Sequence, residues 1–267
     1  MIDIHPPHHA ASTWRDFFIH IATIVLGLCI AVGLEQTVEY FHHRHQVAQL
    51  TEQMRAEAQS NLPLIRDSVA RLKVQATYIR SLEDALLAGK RSGDSIDVHG
   101  VPPNAGSALY VSPSRATWSA AQSAGLAALL PADQAKLFAR LDYNTVLDIS
   151  ADEGRHETLR TLVSECVRAQ YDHANPAVQR ISLSHRDDLL FQLGQVDGAI
   201  RRSIVTLTLL EGGDEAILAD VHSLDEMYSF QKAAMGRTHV EADSMTFFGA
   251  TPKPQTQTTP NQPSGTE

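Results

Sequence analysis

The chain has 267 residues, 43% of them hydrophobic and 20% charged, enough for one compact domain with its own core. Its net charge of −9 at pH 7 offers no basic face to neutralise phosphates, which excludes nucleic acid as a partner. Its two cysteines, Cys29 and Cys166, are too few for a disulfide framework.

After a polar segment over residues 1–16, positions 17–34 read FFIHIATIVLGLCIAVGL, with His20 the only ionisable side chain apart from the thiol of Cys29. As a helix, at about 1.5 Å rise per residue, this run covers roughly 27 Å, close to the hydrocarbon thickness of a bilayer. It lacks the polar face of a core helix and is longer than a usual signal-peptide core. The segment ahead of it holds one arginine against two aspartates. The run therefore predicts an uncleaved transmembrane helix, with Trp14 and Tyr40 at the two headgroup regions; the competing signal-peptide cleavage site is AVG, Ala31 to Gly33. Arg15 before the span and Arg44 after it nearly balance, so the positive-inside rule says little. Glu35 and Glu39 after the span tilt the expectation towards an inside N-terminus.

Apolar residues at helical spacing, Val47, Leu50, Met54 and Ala58, continue the span into a juxtamembrane helix over 35–88. Pro63 removes a backbone donor and disfavours helix at Leu62, which predicts a kink or restart near 61–63. Beyond it Leu62, Ile65, Val69, Leu72, Ala76, Ile79 and Leu86 form a heptad-like seam suited to a coiled coil, stopped by Gly89. Residues 89–113, rich in Gly, Pro and Ser, predict a long loop.

Residues 114–236 predict a helical bundle packed with 62–88. Its first helix carries Trp118, Ala121, Gly125, Ala128 and Leu129, and Pro131 ends it. SADE, Ser150 to Glu153, matches a capping box and predicts a helix start, with Leu159, Leu162, Cys166 and Val167 as the apolar face. Asn175 and Pro176 predict the start of another helix, running through Ile181, Leu189, Leu193, Val196, Ile200, Ile204 and Leu207. Gly212 and Gly213 predict a break, Asp214 a cap and Gly236 an end for the last helix. Residues 237–267 form a low-complexity stretch expected to be a disordered tail.

The block from Ile19 to Leu62, followed by TWSAAQSAGLAALL, resembles a family of uncharacterised bacterial single-pass membrane proteins, a domain of unknown function. The resemblance implies an N-terminal span, a long juxtamembrane helix and a helical domain; it implies no catalytic residues. With the tilt in orientation, it places the span in the bacterial inner (cytoplasmic) membrane and the helical domain in the periplasm.

For chemistry, histidines stand out: His5, His8 and His9 before the span, and His42, His43 and His45 after it. Imidazoles ligate zinc, copper or nickel, and His42 with His45 are the candidate metal ligands. The two groups lie on opposite sides of a bilayer and lack acidic or cysteine co-ligands, so the reading preferred is interfacial polar residues, with no metal site and no cofactor. Within the span, Thr23, Gly27 and Ala31 recur every fourth residue, with His20 before and Glu35 after on one face. Small residues let helix backbones approach, which marks this face as a membrane-helix interface for self-association or another membrane protein.

Enzyme signatures are not met. GKRSG lacks the upstream glycine of a phosphate loop, HETLR lacks the second histidine of a zinc-protease helix, and SHRDD, Ser184 to Asp188, sets its residues at diverging helix positions. Cys166 and Trp118 read as core residues. The expectation is an all-α, single-span protein with an antiparallel helical bundle and no enzymatic activity: an interaction or scaffold protein, or alternatively a ligand-sensing domain that relays through a membrane partner.

Overall fold

The structure, a computed structural model, describes residues 14–100, 112–173, 175 and 177–238. Five α-helices dominate: α1, Trp14–Leu87; α2, Ala116–Ser123; α3, Ala132–Arg168; α4, Leu183–Leu218; and α5, Leu224–Thr238. A 3₁₀ turn, Leu126–Leu129, follows α2, and three short strands, β1 Lys90–Ser92, β2 Ser95–His99 and β3 Val178–Ser182, form one antiparallel sheet in the order β1-β2-β3.

The first helix is one 74-residue rod in which the apolar run and the spine of the bundle are continuous. It does not restart at Pro63. The ring stands on the exposed side with the Gln59 carbonyl it leaves unbonded, where water can serve that group. Asn61 and Ile65, on the other side, are buried in the bundle, and the helix continues through this turn. Every residue of the 17–34 run is solvent-exposed except within its own turns, and this part of α1 is long and apolar enough to cross a membrane. From Leu34 to Leu50, the first buried residue, the helix rises about 24 Å. That stretch is a stalk with no residue buried.

Burial along the rest of α1 follows spacings of three and four, through Leu50, Met54, Ala58, Asn61, Ile65, Val69, Leu72, Ala76, Ile79, Leu82 and Leu86. Each of the larger apolar side chains contributes about 1.5–3 kcal/mol of apolar burial, and the alanines less. The seam foreseen for a coiled coil is consumed inside the chain, because it packs on α4 and cannot also serve between copies. Ion pairs set α1 and α4 antiparallel: Arg55 with Asp220 at 2.7 Å, Arg66 with Glu211 and Glu215 at 2.8 and 2.7 Å, and Arg80 with Asp197 at 3.4 Å. α3 runs beside them and α5 lies against the C-terminal half of α4.

The core has two main parts. One, nearer the stalk, gathers Leu50, Met54, Trp118, Leu137, Phe138, Leu141, Ile217 and Met227. The other, at the far end, gathers the later α1 residues with Leu162, Leu189, Leu193, Ile200 and Leu207, closed by Ile96, Val98 and Ile181 of the sheet.

Four expectations need correction. Residues 89–113 are not all loop: the hairpin β1–β2 occupies 90–99, turning at Gly93, whose φ of +62° favours glycine. Asn175 does not start a helix; β3 intervenes, and α4 begins at Leu183 with Ser182 accepting from the His185 amide at 3.2 Å. SADE lies inside α3, so Ser150 and Glu153 cap no helix start, and Val167 is exposed rather than on the apolar face. Finally, α4 continues through Gly212 and Gly213, and α5 passes Gly236 to end at Thr238. Most of the predicted tail, from residue 239, lies outside the described residues.

Candidate functional site: the membrane helix face and the buried polar layer

On α1, Thr23, Gly27 and Ala31 are exposed, as are His20 and Glu35. Thr23 Oγ1 donates back to the Ile19 carbonyl at 2.8 Å, which satisfies the hydroxyl within the helix and leaves its methyl outward. A Cβ added to Gly27 would meet nothing within 4 Å, so this glycine is not required by any contact among the described residues. The five residues are thus exposed on one continuous helix.

Of the candidate metal ligands, His42 and His45 are both exposed on the stalk. Neighbouring His43 approaches Glu39 at 3.8 Å. Among the described residues no three His, Cys, Asp or Glu side chains converge on one point. His5, His8 and His9 lie outside the described residues.

A second arrangement escaped sequence reasoning. Where the two parts of the core meet, α1, α3 and α4 bring polar side chains together. Arg115, just before α2, enters the interior and meets Asp214 of α4 at 2.7 Å; their side chains are 5% and 0% exposed. The turn that carries Arg115 is fastened to α1. Asn61 Nδ2 donates to the Ser114 carbonyl at 2.9 Å and its Oδ1 accepts from the Ser114 amide at 2.9 Å. Glu57 accepts from the Ser114 hydroxyl at 2.5 Å and from the amides of Ala116 and Thr117 at 2.9 and 3.3 Å. A carboxylate from another helix thus caps the start of α2, satisfying amides that have no partner within it and complementing its dipole.

Across the layer, Arg115 Nε donates to Thr145 at 3.2 Å, and Thr206 donates to Asp148 at 2.8 Å. Burial pushes the Asp214 carboxyl up to about 6, although the Arg115 charge beside it acts the other way. Burial likewise pushes Asp148 up to about 7, opposed by the Thr206 hydrogen bond and aided by the negative charge of Asp152. Asp214 was read as a helix cap because it follows two glycines; the signal that would have found it was the uninterrupted apolar period on both sides.

The remaining sequence candidates are structural. Ser182 caps α4 and shares a 3.0 Å contact with His185 Nδ1, so SHRDD is a helix start. Cys166 is half-buried against the far core, and burial pushes its thiol up to about 11, which leaves it protonated and unreactive at neutral pH. Trp118 packs on Phe138 with ring centroids 5.6 Å apart. GKRSG belongs to the β1 hairpin and HETLR to the middle of α3.

No protein-family model matches the chain, and neither a curated protein nor a solved structure matches it.

Proposed function

We propose that this chain is a membrane-anchored interaction or scaffold protein of the bacterial envelope, of the single-pass kind its sequence resembles. The apolar part of α1 spans the inner membrane with the helical domain on the periplasmic side, and the Thr23/Gly27/Ala31 face meets a second copy or another membrane protein. The observation that carries this reading is the continuity of α1: the segment apolar enough to cross a bilayer and the spine of the bundle are one helix, so the bundle is carried about 24 Å from the bilayer on a fixed mount. No catalytic role is assigned to the buried polar layer, which fastens helices to one another.

Alkaline phosphatase, active only outside the cytoplasm, fused after Gly249 and combined with membrane fractionation tests the reading. Activity in the membrane fraction is expected. A membrane-bound, well-expressed but inactive fusion reverses the orientation, and activity in the soluble fraction removes the anchor.

A second reading draws on the same continuity. A domain whose ligand shifted α4 against α1 would pass the shift straight into the span, relaying to a partner in the membrane. A small molecule that raises the unfolding temperature of the purified protein would favour it.

A further inference from the structure

The side of α1 turned away from the bundle carries a strip that no other described residue buries. At about 100° per residue, Val38 stands about 160° round the helix from Met54, whose side chain is buried in the bundle. In line with Val38 lie Leu34 and Phe41, which with it are 61–68% exposed, then His45 and Ala48. These five follow spacings of three and four, the pattern of a two-helix seam. Traced towards the N-terminus the strip runs into Ala31 and Gly27 of the span. Traced the other way it passes Ala56 and Pro63 and reaches Ala70 and Val74 on the outside of the bundle, all exposed. The acidic residues on it, Glu52 and Asp67, are each held by a guanidinium one turn on in the same helix, Arg55 at 3.9 Å and Arg71 at 2.7 Å.

We propose that two copies of this chain pair in parallel along this outward strip of α1, from Gly27 in the span to Val74 beside the bundle.

Three observations select a second copy. Anchoring by the span holds all copies in one orientation, which makes a parallel seam in register the natural contact between them, and the inference rests on the membrane reading for that reason. The strip is roughly 70 Å long at the helical rise and, with a helix about 10 Å across, offers on the order of 700 Å² per copy, close to the roughly 800 Å² of a standard stable interface. Between the span and Val47, which packs on the near core, no other described element packs against the stalk over about three turns, a length at which an unpacked helix is marginal, and a second stalk supplies the missing packing. Because the strip faces away from α3 and α4, the two bundles stand on opposite sides of the paired rods and do not collide.

The test is disulfide crosslinking of the full chain in native membranes, with Cys29→Ala and Cys166→Ala as background. Single cysteines are placed on the strip by Val38→Cys, Phe41→Cys and Val74→Cys, and on the opposite side of the stalk by Gln36→Cys. Membrane pelleting is measured on the same samples. Several-fold more crosslinked dimer at 38, 41 and 74 than at 36 is expected. Protein that pellets with the membrane but links equally at all positions, or at none, overturns the pairing and leaves the anchor standing. Linking at 38 and 41 without 74 overturns the contact between bundles. Protein absent from the pellet overturns the anchor and the pairing with it.

Discussion

Asp148 shows how a buried carboxyl makes the stability of a fold depend on pH. Its side chain is almost wholly enclosed between α3 and α4, so removing water disfavours the charged form more than Thr206 and Arg155 favour it. Its folded value, about 7, lies above the 3.8 of the unfolded chain. Between those two values the folded state binds more protons than the unfolded state. The contribution of Asp148 to stability is therefore full below about 4 and is lost as pH rises through about 7. Asp214 acts in the same sense over a narrower window, ending near 6. Asp148→Asn should accordingly raise the unfolding temperature at pH 8, by an amount equivalent to about 1–3 kcal/mol, because the amide oxygen still accepts from Thr206 without a charge to bury. At pH 5 wild type and variant should agree closely. A variant less stable than wild type at pH 8 would mean that the carboxylate is worth more to its neighbours than its burial costs.

At the scale of elements, the predominance of helix and most of the buried α1 and α4 positions were legible from apolar spacing alone, whereas several helix boundaries were not. The exceptions share a cause: local composition was outvoted by contacts distant in sequence. Gly212 and Gly213 look like a break, yet α4 passes through them because α5 and α3 press against it there. A Cβ on Gly212 would lie 2.5 Å from the Cα of Gln231, and one on Gly213 would run into the Leu141 side chain. The strands at 90–99 and 178–182 are short and mostly polar. They owe their pairing to Ile96, Val98 and Ile181 closing the end of the bundle, a requirement that no window around them contains. The buried Arg115–Asp214 pair was hidden similarly, since its partners come from a loop and a supposed cap. Close packing predicts opposite outcomes for two glycines of one helix. Gly212→Ala should destabilise the protein by about 1–3 kcal/mol through displacement of α5. Gly194→Ala, where a Cβ meets nothing within 4 Å, should stabilise it by about 0.5–1 kcal/mol through helix propensity. Chemical denaturation of both variants checks this, and equal effects would remove the close-approach explanation for the Gly-Gly pair.

On the scale of the molecule, α1 is the element from which every other position is measured. Its apolar run was legible in the sequence, whereas its outward strip was not, because which side of a helix stays uncovered is known only once the bundle has taken the other. If α1 acts as one rod, the phase between stalk and bundle matters as much as the residues on it. Inserting two alanines between Arg44 and His45 turns everything beyond by about 200°, which carries Val74 to the opposite side while leaving Val38 where it was. Inserting seven turns it by about 700°, within about 20° of two full turns, and lifts the bundle by about 10 Å. In the paired rods, crosslinking through Val38→Cys should survive both insertions. Crosslinking through Val74→Cys should fall with two alanines and return with seven. Membrane retention should be the same in all three chains. Loss at position 74 with both insertions would point to a fixed height of the bundle above the bilayer as the controlling quantity, and retention with both would show that the stalk bends enough to erase the phase, so that span and bundle associate as separate units.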